Sequence, residues 1–126
     1  MSLRYTMKIL VVEDELLIQK TIVTLLKRKG VEVMSTASGK EAIELIKTNN
    51  YDRIICDLML QDITGFDIIE ESKTKYNEAE ISNIFYIITA YSSEQIVERA
   101  SLYGCKVIQK PFDDINNFIN EVTVEE

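Results

Sequence analysis

The chain has 126 residues, of which 46% are hydrophobic, and a formal net charge of −7; this length and composition suit one globular domain with a single core. The acidic balance argues against direct binding of nucleic acid, and no apolar run approaches the roughly 20 residues that cross a bilayer. Because the sequence contains no histidine, every catalytic scheme that needs a histidine base is excluded.

The first part of the chain alternates apolar runs with amphipathic stretches. Residues 8–12 predict a strand that is buried on both faces, and residues 15–29 predict a helix that Gly30 ends. A second strand is expected over 31–34. The pattern Ser-Gly-Lys-Glu at 38–41 is a capping box, and it predicts a second helix that ends at the Asn-Asn pair before the third strand.

The same alternation continues in the middle of the chain. We expect a third strand over 52–56, a third helix over 65–75 and a fourth strand over 84–88, which is rich in β-branched and aromatic residues. The span 73–83 is polar, and it is expected to hold a frayed helix end followed by a loop with a solvated surface.

Three further elements complete the pattern. The Ser92-Ser93 pair opens a fourth helix that ends before the fifth strand, which is expected over 106–109, and residues 113–122 predict a fifth helix after Pro111. Five strands that alternate with five helices predict an α/β domain. Its core is a doubly wound, five-stranded parallel sheet with right-handed crossovers and helices on both faces.

Polar side chains gather just after the predicted strands. Those that follow strands one, three, four and five are Glu13, Asp14, Glu15, Asp57, Thr89 and Lys110. Ligands of a doubly wound sheet bind outside these strand ends. Taken singly, each residue has a common structural explanation, because an acid often caps a helix and a threonine or a Lys-Pro pair often belongs to a turn. Their joint occurrence at matching strand ends predicts one functional site.

Clustered carboxylates require charge compensation. Two unit charges about 4 Å apart repel by about 4 kcal/mol at an effective dielectric of about 20, so either one acid keeps its proton or a cation binds. Mg²⁺ fits such a site because it takes oxygen ligands, retains waters and accepts a substrate phosphate. Lys110 offsets further charge. These parts favour transfer of a phosphoryl group to a carboxylate nucleophile, Asp57.

The motifs at the strand ends are ILVVEDE, IICDLML with a following TG, IITA and QKPF. With them, the chain resembles the receiver domain of two-component response regulators over residues 7–122. The resemblance implies a flavodoxin-like fold with strand order 2-1-3-4-5. It leaves residues 1–6 as an N-terminal extension or cloning remnant and residues 123–126 as a tail.

The resemblance also implies a role for each residue of the site. The implied roles are phosphorylation at Asp57, Mg²⁺ binding by Glu13, Asp14, Asp57 and the backbone carbonyl of Met59, and phosphoryl contacts from Thr89, Ala90 and Lys110. The bond between Lys110 and Pro111 is expected to be cis, which only proline makes inexpensive. Met59 and Tyr91 are expected to tune the lifetime of the phosphoryl group, with the bulk of Tyr91 hindering attacking water.

Three features depart from the family pattern. Gln61 stands where the family often has proline, so a looser loop is expected after the third strand. Val107 stands where the family has an aromatic switch, and the stretch 104–110 is one residue short. We expect that a rotamer switch at this position is unavailable and that Tyr91 or Tyr103 takes its place.

The resemblance implies a regulatory phosphoacceptor rather than an enzyme. Its expected partner is a sensor histidine kinase or a histidine phosphotransfer protein, and small phosphodonors are also expected to serve. A homodimer surface is implied on the fourth helix, fifth strand and fifth helix. Cys56 and Cys105 lie in apolar runs without metal-ligand spacing and are expected to be buried, reduced thiols. With no signal peptide in evidence, a cytoplasmic location is expected and no membrane contact.

Other classes fit less well. A haloacid dehalogenase-type phosphatase needs a second aspartate two residues after the nucleophile, where this chain has Met59. A flavin or nucleotide binder needs a phosphate-binding loop after strand one, where residues 13–15 are acidic and would repel phosphate. A degenerate receiver that acts only as a phosphorylation-independent docking module stays the main alternative, although none of the key residues is missing.

Overall fold

The computed structural model describes residues 6–91 and 93–124, and five strands and six helices lie within these ranges. The strands are β1 (Lys8–Val12), β2 (Glu32–Thr36), β3 (Arg53–Asp57), β4 (Phe85–Thr89) and β5 (Lys106–Gln109). The helices are α1 (Leu16–Arg28), α2 (Gly39–Thr48), α3 (Gly65–Ser72), α4 (Glu78–Ile84), α5 (Glu94–Tyr103) and α6 (Ile115–Val122). The expected helix start at Ser92 and most of the extension at 1–6 lie outside the described residues, as does half of the tail at 123–126.

All strands of the described sheet run parallel in the order β2-β1-β3-β4-β5, which confirms the predicted topology. The three central strands, β1, β3 and β4, are mostly apolar and almost entirely buried, because helices cover both faces of the sheet. Since the strands are parallel, the carboxyl ends of β1, β3, β4 and β5 share one edge of the sheet. The polar residues found at these ends are thereby brought together.

The two faces of the sheet bury two apolar layers. Alternate residues such as Leu10, Ile54 and Phe85 pack against α2, α3, α4 and α5. Their neighbours, such as Ile9 and Ile55, pack against α1 and α6. Full burial of one such side chain contributes about 1.5–3 kcal/mol. No helix within the described ranges has both the length and the apolar character needed to cross a bilayer.

The expectation of a frayed helix end and a loop over 73–83 is wrong, because α4 occupies most of the second half of this span. Helix α3 ends at Ser72, and α4 begins after Asn77, whose side chain accepts a hydrogen bond from the backbone of Glu80 while the Glu80 carboxylate accepts one from the Asn77 amide. Ile81 and Ile84 are the buried residues of this short helix. Two apolar positions give too weak a period to identify a helix, but the reciprocal capping box was readable.

Local signals in the sequence explain other helix ends. Gly104 adopts the left-handed conformation (φ +73°) that ends α5, and Gly30 does so after α1 (φ +80°). Ser38 accepts a hydrogen bond from the backbone of Glu41, as the capping pattern predicts. Cys56 and Cys105 are free and buried.

Candidate functional site

Four strand ends bring the predicted site residues to one edge of the sheet. Asp57 and Thr89 are the last residues of β3 and β4, while Glu13 follows β1 and Lys110 follows β5. Backbone bonds fix these positions: the Lys110 amide donates to the Thr89 carbonyl at 2.8 Å, and the Glu13 amide donates to the carbonyl of Thr36 at 3.0 Å. The peptide bond between Lys110 and Pro111 is cis, as the resemblance implies.

Lys110 lies among three carboxylates. Its Nζ is 2.9 Å from Glu13 Oε1, 3.1 Å from Asp57 Oδ2 and 3.1 Å from Glu15 Oε1, and its side chain is only 5% exposed. Burial alone would lower the pKa of Lys110, but the hydrogen bonds to the carboxylates raise it, so the ammonium stays charged. The contact with Glu15 was not predicted, because nothing local ties that residue to a lysine 95 positions away.

Glu13, Asp14 and Asp57 form an acidic cluster in which one oxygen of each lies within 4.8 Å of the others. Burial first, and then the neighbouring Asp57 carboxyl, raise the pKa of Glu13 from 4.5 to about 7. Three close carboxylate oxygens are a donor set that suits Mg²⁺. The Met59 amide donates to Asp57 Oδ1 at 3.2 Å. The structure therefore ties Met59 to the site through its amide, and the role of its carbonyl stays a prediction.

The loop between β3 and α3 is held by two carboxylates. The Gln61 amide donates to Asp14 Oδ2 at 3.1 Å, so the loop without the family's proline is fastened to the acidic cluster. Asp62 accepts hydrogen bonds from the first amides of α2, which lower the pKa of Asp62 to about 2. A Cβ at Gly65 would lie 3.1 Å from the Asp57 carbonyl oxygen, so glycine lets α3 begin against the end of β3. The loop, which was expected to be looser, is instead anchored by the hydrogen bonds of Asp14 and Asp62.

The hydroxyl of Thr89 is engaged by Tyr91. It donates to the Tyr91 carbonyl at 2.9 Å and accepts from the Tyr91 amide at 3.0 Å. Thr89 is buried, whereas Ala90 and Tyr91 are exposed. The structure thus places Thr89 at the edge of the site with its hydroxyl bound to the following turn. The predicted phosphoryl contacts of Thr89 and Ala90 stay predictions.

Tyr103, the last residue of α5, packs against α3. Its ring stacks on Phe66 of α3 with 5.9 Å between ring centroids, and its hydroxyl donates to Glu70. Val107, on β5, is half-buried in the same apolar layer. Tyr103 therefore links α5 to α3, and the hypothesis that Tyr91 or Tyr103 replaces the aromatic switch stays a prediction.

Comparison with known proteins identifies the family. Residues 9–122 match the family model of the response regulator receiver domain. The chain therefore belongs to the response regulator receiver domain family, as its motifs predicted.

Solved structures of this family are similar over nearly the whole chain. The receiver domain of the Francisella response regulator 1452 is 28% identical with a TM-score of 0.76, and the match covers 93% of this chain and 96% of that one. The non-phosphorylated HemR receiver domain of Leptospira biflexa is 27% identical with a TM-score of 0.81, covering 96% and 98%. The chemotaxis response regulator CheY4 of Vibrio cholerae, at 22% identity and a TM-score of 0.79, covering 94% and 99%, shares the fold.

Proposed function

We propose that the protein is a signalling switch in which Asp57 accepts a phosphoryl group from a phosphohistidine of a sensor histidine kinase or histidine phosphotransfer protein. Mg²⁺ is the cofactor of this step, and the protein acts in the cytoplasm as a regulatory phosphoacceptor rather than an enzyme. The observation that carries the proposal is the pairing of Asp57 with the Lys110 ammonium at 3.1 Å inside an acidic cluster. A nucleophile, a cation and oxygen ligands for a metal thus meet at one point.

The chain's own residues prepare Asp57 for the transfer. The Met59 amide holds one carboxylate oxygen of Asp57, and Lys110 holds the other. An oxygen of Asp57 attacks phosphorus, the P–N bond of the donor breaks, and its electron pair stays on the imidazole, which leaves neutral because the other ring nitrogen carries a proton. Glu13, Asp14, Asp57 and the Met59 carbonyl would hold Mg²⁺, which supplies neutralisation of charge on the phosphoryl oxygens.

The output of the switch is a shift between two conformations. The added negative charge draws Lys110 and the Thr89 hydroxyl toward the phosphoryl oxygens, with the Ala90 amide as a further donor. In this structure the Thr89 hydroxyl is hydrogen-bonded to the carbonyl and the amide of Tyr91. Movement of the hydroxyl toward the phosphoryl group breaks both bonds and releases the turn before α5. The surface of α5, β5 and α6 then changes its affinity for partners, including a second copy of the chain.

Replacing Asp57 by asparagine tests the phosphoacceptor. With acetyl phosphate and Mg²⁺, we expect the wild-type protein to gain about 80 Da by intact-mass spectrometry and Asp57→Asn to gain nothing, because the amide is not a nucleophile. Asp113→Asn, which changes an exposed aspartate, serves as the matched control and should behave like the wild type. A wild type that never gains mass but binds its partner would instead support the docking-module alternative.

Tyr91 and Met59 are proposed to limit access of water to the phosphoryl group. Tyr91 and Met59 are 62% and 50% exposed and line one surface pocket. Tyr91→Ala is expected to shorten the half-life of the mass adduct several-fold, because less bulk excludes attacking water. Tyr91→Phe keeps the ring and should keep the half-life. Equal half-lives for the wild type and Tyr91→Ala would contradict this role.

A further inference from the structure

Lys110 has one carboxylate partner that the proposed phosphoryl transfer does not use. Glu15 Oε1 lies 3.1 Å from Lys110 Nζ. The Glu15 side chain is 60% exposed, whereas those of Glu13 and Asp57 are 0% and 5% exposed. Of the three carboxylates that contact this ammonium, Glu15 is thus the one that faces solvent.

The position of Glu15 in the chain does not require this contact. Glu15 is the N-cap residue of α1, yet its side chain makes no capping hydrogen bond. Short side chains such as serine or aspartate favour that position because they accept from the first helical amides. The Glu15 carboxylate instead accepts from Lys110, and its backbone amide donates to Glu13 Oε2 at 3.1 Å. The side chain therefore serves the site rather than the helix.

Glu15 also contributes one unit of the negative charge in the site. Glu13, Asp14, Glu15 and Asp57 together with the Lys110 ammonium leave a formal charge of −3 when all are ionised. A bound Mg²⁺ reduces this charge to about −1. Without the carboxylate of Glu15, the loaded site would be neutral. A cleft that carries one sign of charge focuses its field on charged ligands and changes their association rates.

We propose that Glu15 is a specificity-determining residue that disfavours small, strongly anionic phosphodonors at Asp57. The inference rests on the proposed function. The carboxylate repels the donor's negative charge and engages Lys110 before a phosphoryl group arrives. Asp57 is thereby protected from small anionic donors, and the switch stays responsive to a protein donor.

Two small phosphodonors that differ in negative charge can test whether Glu15 acts by electrostatic repulsion. With acetyl phosphate, an oxygen of Asp57 attacks phosphorus and the P–O bond breaks, so that acetate leaves with the electron pair. With phosphoramidate, the same attack breaks the P–N bond, and the protonated nitrogen leaves as ammonia. Phosphoramidate carries less negative charge at neutral pH, so repulsion by Glu15 acts on it less strongly.

The test compares rate constants for mass-adduct formation with both donors at saturating Mg²⁺. Glu15→Gln is expected to raise the acetyl phosphate rate constant about tenfold at low ionic strength and the phosphoramidate rate constant by a smaller factor. Added salt should shrink the difference between variant and wild type, because screening weakens the repulsion. A merely structural role of Glu15 would move neither the donor ratio nor its salt dependence.

Glu32→Gln is the matched control. Glu32 is exposed at the start of β2, on the sheet edge opposite the site, and its substitution changes the net charge equally. Its rate constants should equal those of the wild type. An unchanged donor ratio in Glu15→Gln would overturn the role of Glu15 alone. Failure of every variant and the wild type to form an adduct with either donor would overturn the proposed function, and this inference with it.

Discussion

Replacing Lys110 by methionine is expected to lower the free energy of unfolding of the metal-free protein by about 3–5 kcal/mol. Methionine fills a similar volume but leaves the carboxylates of Glu13 and Asp57, which are 0% and 5% exposed, without their cation. A buried charge that has lost its partner is far more destabilising than a broken pair at the surface. Urea unfolding at neutral pH with a chelator present measures the change.

A second lysine of the same chain provides the control. Lys106 Nζ lies 3.1 Å from Glu121, but both side chains are about half exposed, and such pairs contribute at most about 1 kcal/mol. Lys106→Met should therefore have a small effect. The double variant Lys110→Met/Glu13→Gln should recover part of the stability, because the uncharged glutamine replaces one buried carboxyl group that needs the ammonium. Equal effects of Lys110→Met and Lys106→Met would contradict the burial argument.

Affinity for Mg²⁺ is expected to fall as pH decreases below 7. Burial and the Asp57 carboxyl raise the pKa of Glu13 to about 7, and metal binding requires ionised ligands. Below that pH, Mg²⁺ must displace a proton, so its dissociation constant should rise about tenfold per pH unit. Titration calorimetry in buffers of different ionisation enthalpy would report both the affinity and the proton released.

The raised pKa of Glu13 also affects the stability of the metal-free protein, which should fall with rising pH whereas the affinity for Mg²⁺ increases. A carboxyl whose pKa is raised from 4.5 to about 7 on folding stabilises the folded state below pH 4.5, and this contribution is lost as pH rises toward 7. Between these values, the metal-free protein should lose stability from Glu13 while Mg²⁺ gains affinity. Glu13→Gln should flatten both dependences. If its Mg²⁺ affinity kept the wild-type slope with pH, Glu13 would not be the titrating ligand.

Much of the site follows from reading strand ends in the sequence. Parallel strands place their carboxyl ends on one edge, so locating β1, β3, β4 and β5 was enough to bring Asp57, Thr89 and Lys110 together. The expected boundaries differ from the observed ones by one or two residues at most strands. Such differences did not matter because Asp57 and Thr89 occupy the strand ends under either boundary.

Other features depend on contacts that no local pattern reports. The bond between Gln61 and Asp14 joins residues 47 positions apart, and Asp62 reaches the N-terminus of α2 over more than 20 positions. The absence of proline at position 61 predicted a looser loop after β3. Hydrogen bonds between residues far apart in the chain hold this loop instead. The exposed carboxylate of Glu15 was likewise read only as an acid after a strand, because its partner lies at the far end of the chain.

The contacts of Lys110 join it to Glu13 across 97 positions of the chain and to Asp57 across 53. A nascent polypeptide that is still emerging from the ribosome can carry β1 and β3 while β5 is unmade. In such a chain Glu13 and Asp57 have no Lys110 ammonium beside them. The buried acidic cluster therefore gains its lysine only when the chain has been synthesised through β5.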